Sequence, residues 1–253
     1  MILLIESSAQ FPSVGLCDHK GNLIAHQERL ETYSHAESLA EMVQSILHTN
    51  SGDGLHLDAN KKDDINTHGA QYGISAIAIS AGPGSYTGLR IGTSLAKGLA
   101  MGYQVPLISV SALEGMADSL LANFPQMEYA FSMLDARRNE VYLLVKKHSG
   151  EVVLGPIPKI LEYDEWSQFL QEIGVTTTGA GSFWGCISDC DAKVAEILQL
   201  SEPMIHVQEN PHVRHLAKMA AQKFKNQQFE DLAYFEPNYL KEFVAGIGKK
   251  FQL

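Results

Sequence analysis

The chain opens in the same way twice. Its first residues, MILLIESSAQFPSVGLCDHK, read as a short apolar strand ending in an acid, then a polar turn and a second strand. The pattern restarts at Gln126. There EYAFSMLDARRNEVYLLVKK again gives strand, turn and strand, and Asp135 takes the place that Glu6 holds in the first copy. Two such openings, each running into mixed strands and helices, predict an α/β fold built as two similar lobes with mixed sheets.

The first lobe reads in order. Strands are expected at 2–5, 13–18 and 22–28, the last two joined by a turn at Gly21. A helix follows over 34–48, opened by a Ser34–Glu37 capping box. Its apolar stripe is Leu39, Met42, Val43, Ile46 and Leu47. Residues 49–72 are polar and too long for an ordinary connection, and read as a surface loop. Strand 74–80, a glycine turn, helix 87–101 and strand 105–110 come next. SALEGMADSLLANF then forms a helix with a second capping box, Ser111 to Glu114. The lobes are divided at 1–110 and 111–253, with 111–125 and the C-terminal helix as candidates to pack back on the first lobe. The second lobe shows its hairpin, a glycine turn in TTTGAGSFWG, and a helix in HVRHLAKMAAQKF.

The turn AGPGSYTGLRIG poses the functional question. Gly82, Gly84, Ser85 and Thr87, between a strand and a helix start, are suited to an anion-binding concavity. The lysine of a nucleotide-binding loop is absent, and the glycine interval is not that of a dinucleotide fold. The helix itself carries Gly88, Gly92, Ala96 and Ala100 every fourth residue, with Gly98 and Gly102 as a second small row. Each glycine costs roughly 1 kcal/mol relative to alanine. Close approach of another backbone offsets that, either the sheet beneath or a second helix or chain.

Composition removes several functions. The 253 residues carry a net charge of −10. A protein that grips nucleic acid alone draws most of its affinity from a basic face. The acidic balance argues against that. Lys241, Lys249 and Lys250 are the candidate basic patch, against a solvated tail. The three cysteines, Cys17, Cys186 and Cys190, have no framework spacing and suggest free thiols in a reducing cytoplasm. No run approaches a membrane span, and the apolar start is too short for a signal peptide. His212 and His215 lie three apart on a helix but lack a third ligand, so they read as surface or core histidines. Arg137 and Arg138 suit an acid or a phosphate, or a turn held by an Asp135–Arg pair, which is the favoured reading.

GPGSYTGLRIG, with LLIESS, DARRNEVY (135–142) and EPNYLK (236–241), resembles the TsaB family nearly end to end, least in 50–72 and 186–203. That family supplies an accessory subunit to the bacterial machinery that attaches threonylcarbamoyl to adenosine in tRNA. The resemblance implies an actin/sugar-kinase/heat-shock-70-like fold. It also implies a catalytic paralog, TsaD, whose metal-binding His-x-x-x-His helix matches SALEGMA. Ala112 and Met116 stand at the two histidine positions, while Glu114 and Gly115 are kept. Neither alanine nor a thioether suits such an ion. Glu6 also departs from the aspartate that positions Mg²⁺ in phosphotransferases of this fold.

The expectation is therefore a protein with no catalytic residue, metal or cofactor of its own, which activates a TsaD-like partner acting on ANN-decoding tRNAs. Helices 34–48 and 87–101 are expected to present an interface of Leu39, Met42, Val43, Ile46, Gly88, Arg90, Gly92, Leu95 and Ala96. The same surface would pair two copies into a homodimer when the chain is alone. A TsaE-like small ATPase completes the implied set, and tRNA is met only through the complex. Two rivals are an ATP-dependent phosphotransferase acting on a small metabolite and a free-standing tRNA-binding module.

Overall fold

The computed structural model describes residues 1–30, 35–50, 72–175, 183–198 and 204–241. Ser34 of the first capping box, nearly all of the polar segment 49–72, the TTTGAGS turn, Lys249 and Lys250 lie outside them.

The apolar run at the start forms β1 (Ile2–Glu6), fully buried, because helices cover both faces of its sheet. β2 (Ser13–Cys17) and β3 (Leu23–Glu28) follow antiparallel, and α1 (His35–Asn50) crosses back. Next come β4 (Ala76–Ser80), α2 (Tyr86–Tyr103) and β5 (Leu107–Val110). β4 pairs parallel with β1, and β5 with β4. The sheet order is β3-β2-β1-β4-β5. After α3 (Ala112–Asn123) the plan repeats. It uses β6 (Tyr129–Asp135), β7 (Glu140–Lys147), β8 (Val152–Ile160), α4 (Tyr163–Glu172), β9 (Trp184–Ser188), α5 (Asp191–Leu198) and β10 (Met204–Gln208). The second sheet runs β8-β7-β6-β9-β10 with the same parallel and antiparallel pairs. The duplication expected from the two openings is therefore present in topology, and the fold is the two-lobed α/β type anticipated.

Strand alternation sorts the core. In the first sheet Leu3, Ile5, Ile77 and Ile79 face α1 and α2, whereas Ile2, Leu4, Ala76 and Ala78 face the last helix, α6 (Val213–Lys225). In the second sheet Phe131, Met133 and Leu143 face Trp166 and Phe169 of α4, and Ala130, Leu134 and Leu144 face α3. The two inner helices are exchanged: α3 follows a first-sheet strand but covers the second sheet, and α6 follows a second-sheet strand but covers the first.

These exchanged helices cross where Gly115 lies against the backbone of His215. An added Cβ would meet the His215 carbonyl carbon at 3.0 Å and its oxygen closer still. The far side of α3 is tied down by Lys146 of β7. Its ammonium pairs with Asp118 Oδ1 at 2.7 Å and Glu114 Oε1 at 3.1 Å, with 7% of the side chain exposed. Burial alone would lower the Lys146 pKa, but the two carboxylates outweigh it and raise it. Glu114 is thereby drawn away from the reciprocal half of the second capping box. Ser111 Oγ does accept the Glu114 amide, at 3.3 Å.

Residues 229–241 run back over the first lobe as a strap. Glu230 bridges to Leu107, Lys97 Nζ donates to the Phe235 carbonyl at 3.1 Å, and the Asn238 amide donates to Ala81 O at 2.8 Å. The strap ends on the second lobe, where Lys241 pairs with Glu140 and donates to the Ala136 carbonyl.

Gly115→Ala forces the α3–α6 crossing apart. The expected cost is about 1–3 kcal/mol of unfolding free energy, the usual scale for overpacking a tight contact. Urea unfolding checks it, and an unchanged midpoint would show that the crossing has slack.

Candidate functional site

The glycine turn sits where β4 delivers the chain to α2. Gly82 (φ 93°) and Gly84 (φ 155°) hold conformations that side chains resist. Gly84 lies so close to Ser8 that an added Cβ would meet the Ser8 Cβ at 2.7 Å. The Ser85 amide donates to Ser8 O at 2.7 Å, and Ser85 Oγ accepts the Gly88 amide at 3.2 Å as the helix N-cap. The Gly82 carbonyl accepts from the Ala112 amide. Two of the groups that would have faced an anion are thus engaged in joining the turn to β1 and starting α2. Thr87 is exposed on the first turn of that helix.

The two small rows of α2 have different surroundings. Gly88, Gly92, Ala96 and Ala100 are buried on the inner side. At Gly92 an added Cβ would collide with Ser7 Oγ and sit 2.8 Å from Ser7 Cβ. The inner row is explained by the chain beneath it. At Gly98 and Gly102 an added Cβ meets nothing within 4 Å among the described residues. This outer row shares its face with Arg90, Ser94 and Met101, and Met101 is 77% exposed. Leu95 is half-buried at its edge.

The apolar stripe of α1 requires a correction. Leu39, Met42, Val43 and Ile46 are not exposed; all four are buried against β1, β2 and β4 in the first-lobe core. An amphipathic pattern places residues on one face, and here the sheet covers that face. Gly92 and Ala96 are buried as well. The surface offered by the two helices is Ala40, Glu41, Gln44 and His48 of α1 beside Arg90, Ser94, Gly98 and Met101 of α2.

Between the lobes lies a cavity of about 500 Å³, bounded by Gly82, Ser111, Glu114, Leu144, Pro156 and Asn238. Its charged lining is Glu114, Glu230 and Glu236 against Lys223. Lys223 Nζ is bound to the Ser109 carbonyl at 2.7 Å. Glu6, at the end of β1, does not reach into the cleft. It is fully buried, and its Oε1 accepts both the amide and the hydroxyl of Ser8, at 2.6 and 2.5 Å. Burial raises its pKa, with the Ser8 bonds opposing. On α3, Ala112 and Met116 point into the second-lobe core.

Comparison with known proteins agrees with this arrangement. A family model described as "TsaD: tRNA N6-adenosine threonylcarbamoyltransferase" matches residues 65–164, the stretch from before the glycine turn through β8. The tRNA threonylcarbamoyladenosine biosynthesis protein TsaB of Escherichia coli K12 is 29% identical, over 96% of both chains. The TsaB protein of Haemophilus influenzae is 33% identical over 68% of this chain and 62% of its own. The solved structure of YeaZ from Pseudomonas aeruginosa superposes with a TM-score of 0.68 at 22% identity, covering 94% of this chain and 99% of that one. The chain is TsaB-like along nearly its whole length.

Two further groups of residues gain a definite role in the structure. His212 and His215, read from the sequence as surface or core histidines, are buried and cap α6. His212 Nδ1 accepts the Arg214 amide at 3.0 Å, and His215 Nδ1 accepts the His212 amide at 3.1 Å. His215 Nε2 faces Glu209 Oε1 at 3.1 Å. Both rings are buried, and both Nδ1 lone pairs are committed to backbone N–H groups. Among the described residues no three His, Cys, Asp or Glu side chains are grouped to hold a metal ion, and no helix is long and apolar enough to cross a membrane. The Asp135 turn differs from the sequence expectation. Asp135 accepts the Arg137 amide at 2.7 Å and pairs with the ammonium of Lys193, not with either guanidinium. The described cysteines are free thiols, and Cys186 is buried in β9.

The His212 cap carries a pH signature. Burial first, then Arg214, His26 and His215, lower its pKa to about 3. Between about pH 6.5 and 3 the unfolded chain binds a proton there that the folded chain refuses. This histidine's contribution to stability is therefore full above pH 6.5 and declines as the pH falls, by at most about 1.4 kcal/mol per pH unit. His212→Asn keeps a capping acceptor and removes the titration. Thermal unfolding of the two proteins from pH 7.5 to 4.5 should show a shallower acid decline in the variant; parallel curves would count against the assignment.

Proposed function

We propose that this chain takes part in tRNA threonylcarbamoyladenosine biosynthesis as the non-catalytic subunit that binds and activates a TsaD-like threonylcarbamoyltransferase, acting in the cytoplasm on ANN-decoding tRNAs. The observation that carries this reading is the outer row of α2. Gly98 and Gly102 each weaken the helix by roughly 1 kcal/mol relative to alanine, and among the described residues nothing lies within 4 Å of an added Cβ at either. A helix from another protein, laid along the row, would use the space. The match of residues 65–164 to the TsaD family model supports a partner with a like-shaped helix. In the partner's absence a second copy of this chain would occupy the same face. A TsaE-like small ATPase and the tRNA itself would join through that pair.

Of the expected interface residues, Arg90 and Leu95 remain in the proposed contact surface, joined by Gly98 and Met101. Gly88, Gly92, Ala96 and the α1 stripe would support it from beneath. The turn at Gly82 to Thr87 would then position α2 rather than hold a phosphate.

The interlobe cavity gives some weight to the phosphotransferase alternative. Its lining of three carboxylates with one engaged ammonium offers little to a polyanionic nucleotide. The buried Glu6 is poorly disposed to position a hydrated cation. Calorimetry of the isolated chain with Mg-ATP separates the readings: the subunit role predicts no tight binding, and micromolar binding would favour the phosphotransferase.

The interface is tested at Gly98, because bulk at Gly92 or Ala96 would disturb the core. Gly98→Trp should weaken association with the companion threonylcarbamoyltransferase at least tenfold, while Gly98→Ala leaves the fold intact and slightly stabilised, by about 0.5–1 kcal/mol. Size-exclusion chromatography and calorimetry of the mixed proteins are the measurements. Wild-type affinity for Gly98→Trp would refute the interface.

A further inference from the structure

The turn between β6 and β7 holds two arginines in a conformation that few side chains adopt. Arg137 has φ 68° and Arg138 φ 51°, and both are exposed. The turn is held from within. Asp135 Oδ1 accepts the Arg137 amide at 2.7 Å, and the Glu140 amide donates to the Arg137 carbonyl at 3.2 Å. The nearby lysines are occupied, Lys193 by Asp135 and Lys241 by Glu140. Among the described residues neither guanidinium has an ion-pair or hydrogen-bond partner. Two uncompensated cations on a fixed turn are unusual in a chain of net charge −10.

A chain of contacts leads from this turn to the helix face described above. Arg90 lies over the Tyr86 ring, 4.2 Å from its centroid. Tyr86 packs on Tyr239 of the strap at 4.9 Å. Two residues on, Lys241 lies 5.9 Å from the Tyr142 ring centroid and donates to the carbonyl of Ala136, next to Arg137. Cations and tyrosines are thus interspersed along one ridge, in the order Arg90, Tyr86, Tyr239, Lys241 and Tyr142, from α2 to the second lobe.

We propose that this ridge, ending at Arg137 and Arg138, is a contact surface for the phosphate backbone of an RNA held by the assembled complex. The proposal rests on the subunit role above and adds where this chain meets the polyanion. Guanidinium forks match phosphate oxygens in pairs, and cations interspersed with aromatic rings suit a flexible RNA strand. The exposed run Arg137, Arg138, Asn139 has no apolar side chain to form the dry centre of a protein contact. The phosphate contacts would position the RNA without reading its sequence. A lone acidic chain would bind RNA feebly. The same two cations become effective once a partner adds its own.

The test uses the reconstituted complex with its companion threonylcarbamoyltransferase and a labelled tRNA, titrated from 50 to 250 mM salt. The variant carries Arg137→Asn and Arg138→Asn, since asparagine tolerates the left-handed conformation and removes the charge. Complex formation should be unchanged, RNA affinity at low salt should fall roughly tenfold, and the salt slope should shrink by about 1.5. Arg137→Lys with Arg138→Lys should restore the slope. Unchanged RNA affinity and slope in an intact complex would overturn the proposal, as would weakened complex formation, which would mark the turn as a protein contact. Failure of the wild-type proteins to associate would instead refute the subunit role on which it stands.

Discussion

The two lobes are joined at the crossing of α3 and α6, where the backbone of His215 rests on Gly115. Each helix follows a strand of one sheet and packs on the other sheet. The contact therefore links both sheets through two helices rather than through a flexible connection. Its parts are held separately. Lys146 ties α3 to the second sheet through Glu114 and Asp118, and the reciprocal imidazole caps fix the start of α6. Gly115 has a physical reason to be glycine that is independent of any ion. The helix serves here as a structural joint, with Ala112 and Met116 filling core space.

The strap completes the frame around the cavity. It touches β5, α2, the glycine turn and the β6–β7 turn in succession. It is thus coupled both to the helix proposed to meet a partner and to the arginine turn proposed to meet RNA. Displacement of α2 by a partner would reach the strap through Lys97, whose ammonium donates to two strap carbonyls, those of Ala233 and Phe235. This is spatial continuity, and it supplies a route by which a contact on one lobe would shift groups on the other.

Much of the architecture was legible because the first lobe has strong periodic signals. Continuous apolar strands, amphipathic helices and Ser caps put its elements within a few residues of their observed bounds. The repeated hairpin fixed the second lobe's opening. The remainder of that lobe was harder. β8 contains Gly155, Pro156 and Pro158, which break a strand pattern and are tolerated only because β8 is an edge. β9, α5 and β10 are short, and a brief apolar run does not distinguish strand from helix. The α1 stripe shows the limit of periodicity. It correctly placed Leu39, Met42, Val43 and Ile46 on one face but could not say whether sheet or solvent lay opposite. The histidine pair shows the complementary limit. Ligand spacing and reciprocal capping spacing are both three residues, and only the direction of the Nδ1 lone pairs separates them.

The two rows of α2 show why glycine counts alone are poor evidence of function. Gly92 and Gly98 look alike in sequence, and a solvated helix would penalise both equally. One is required by Ser7 beneath it, and its presence says nothing about partners. The other has no such requirement among the described residues. A residue that weakens its own helix without relieving any clash there points to something outside the molecule. The two arginines follow the same reasoning in electrostatic form: nearby acids have already taken other cations, so charge balance among the described residues does not account for them.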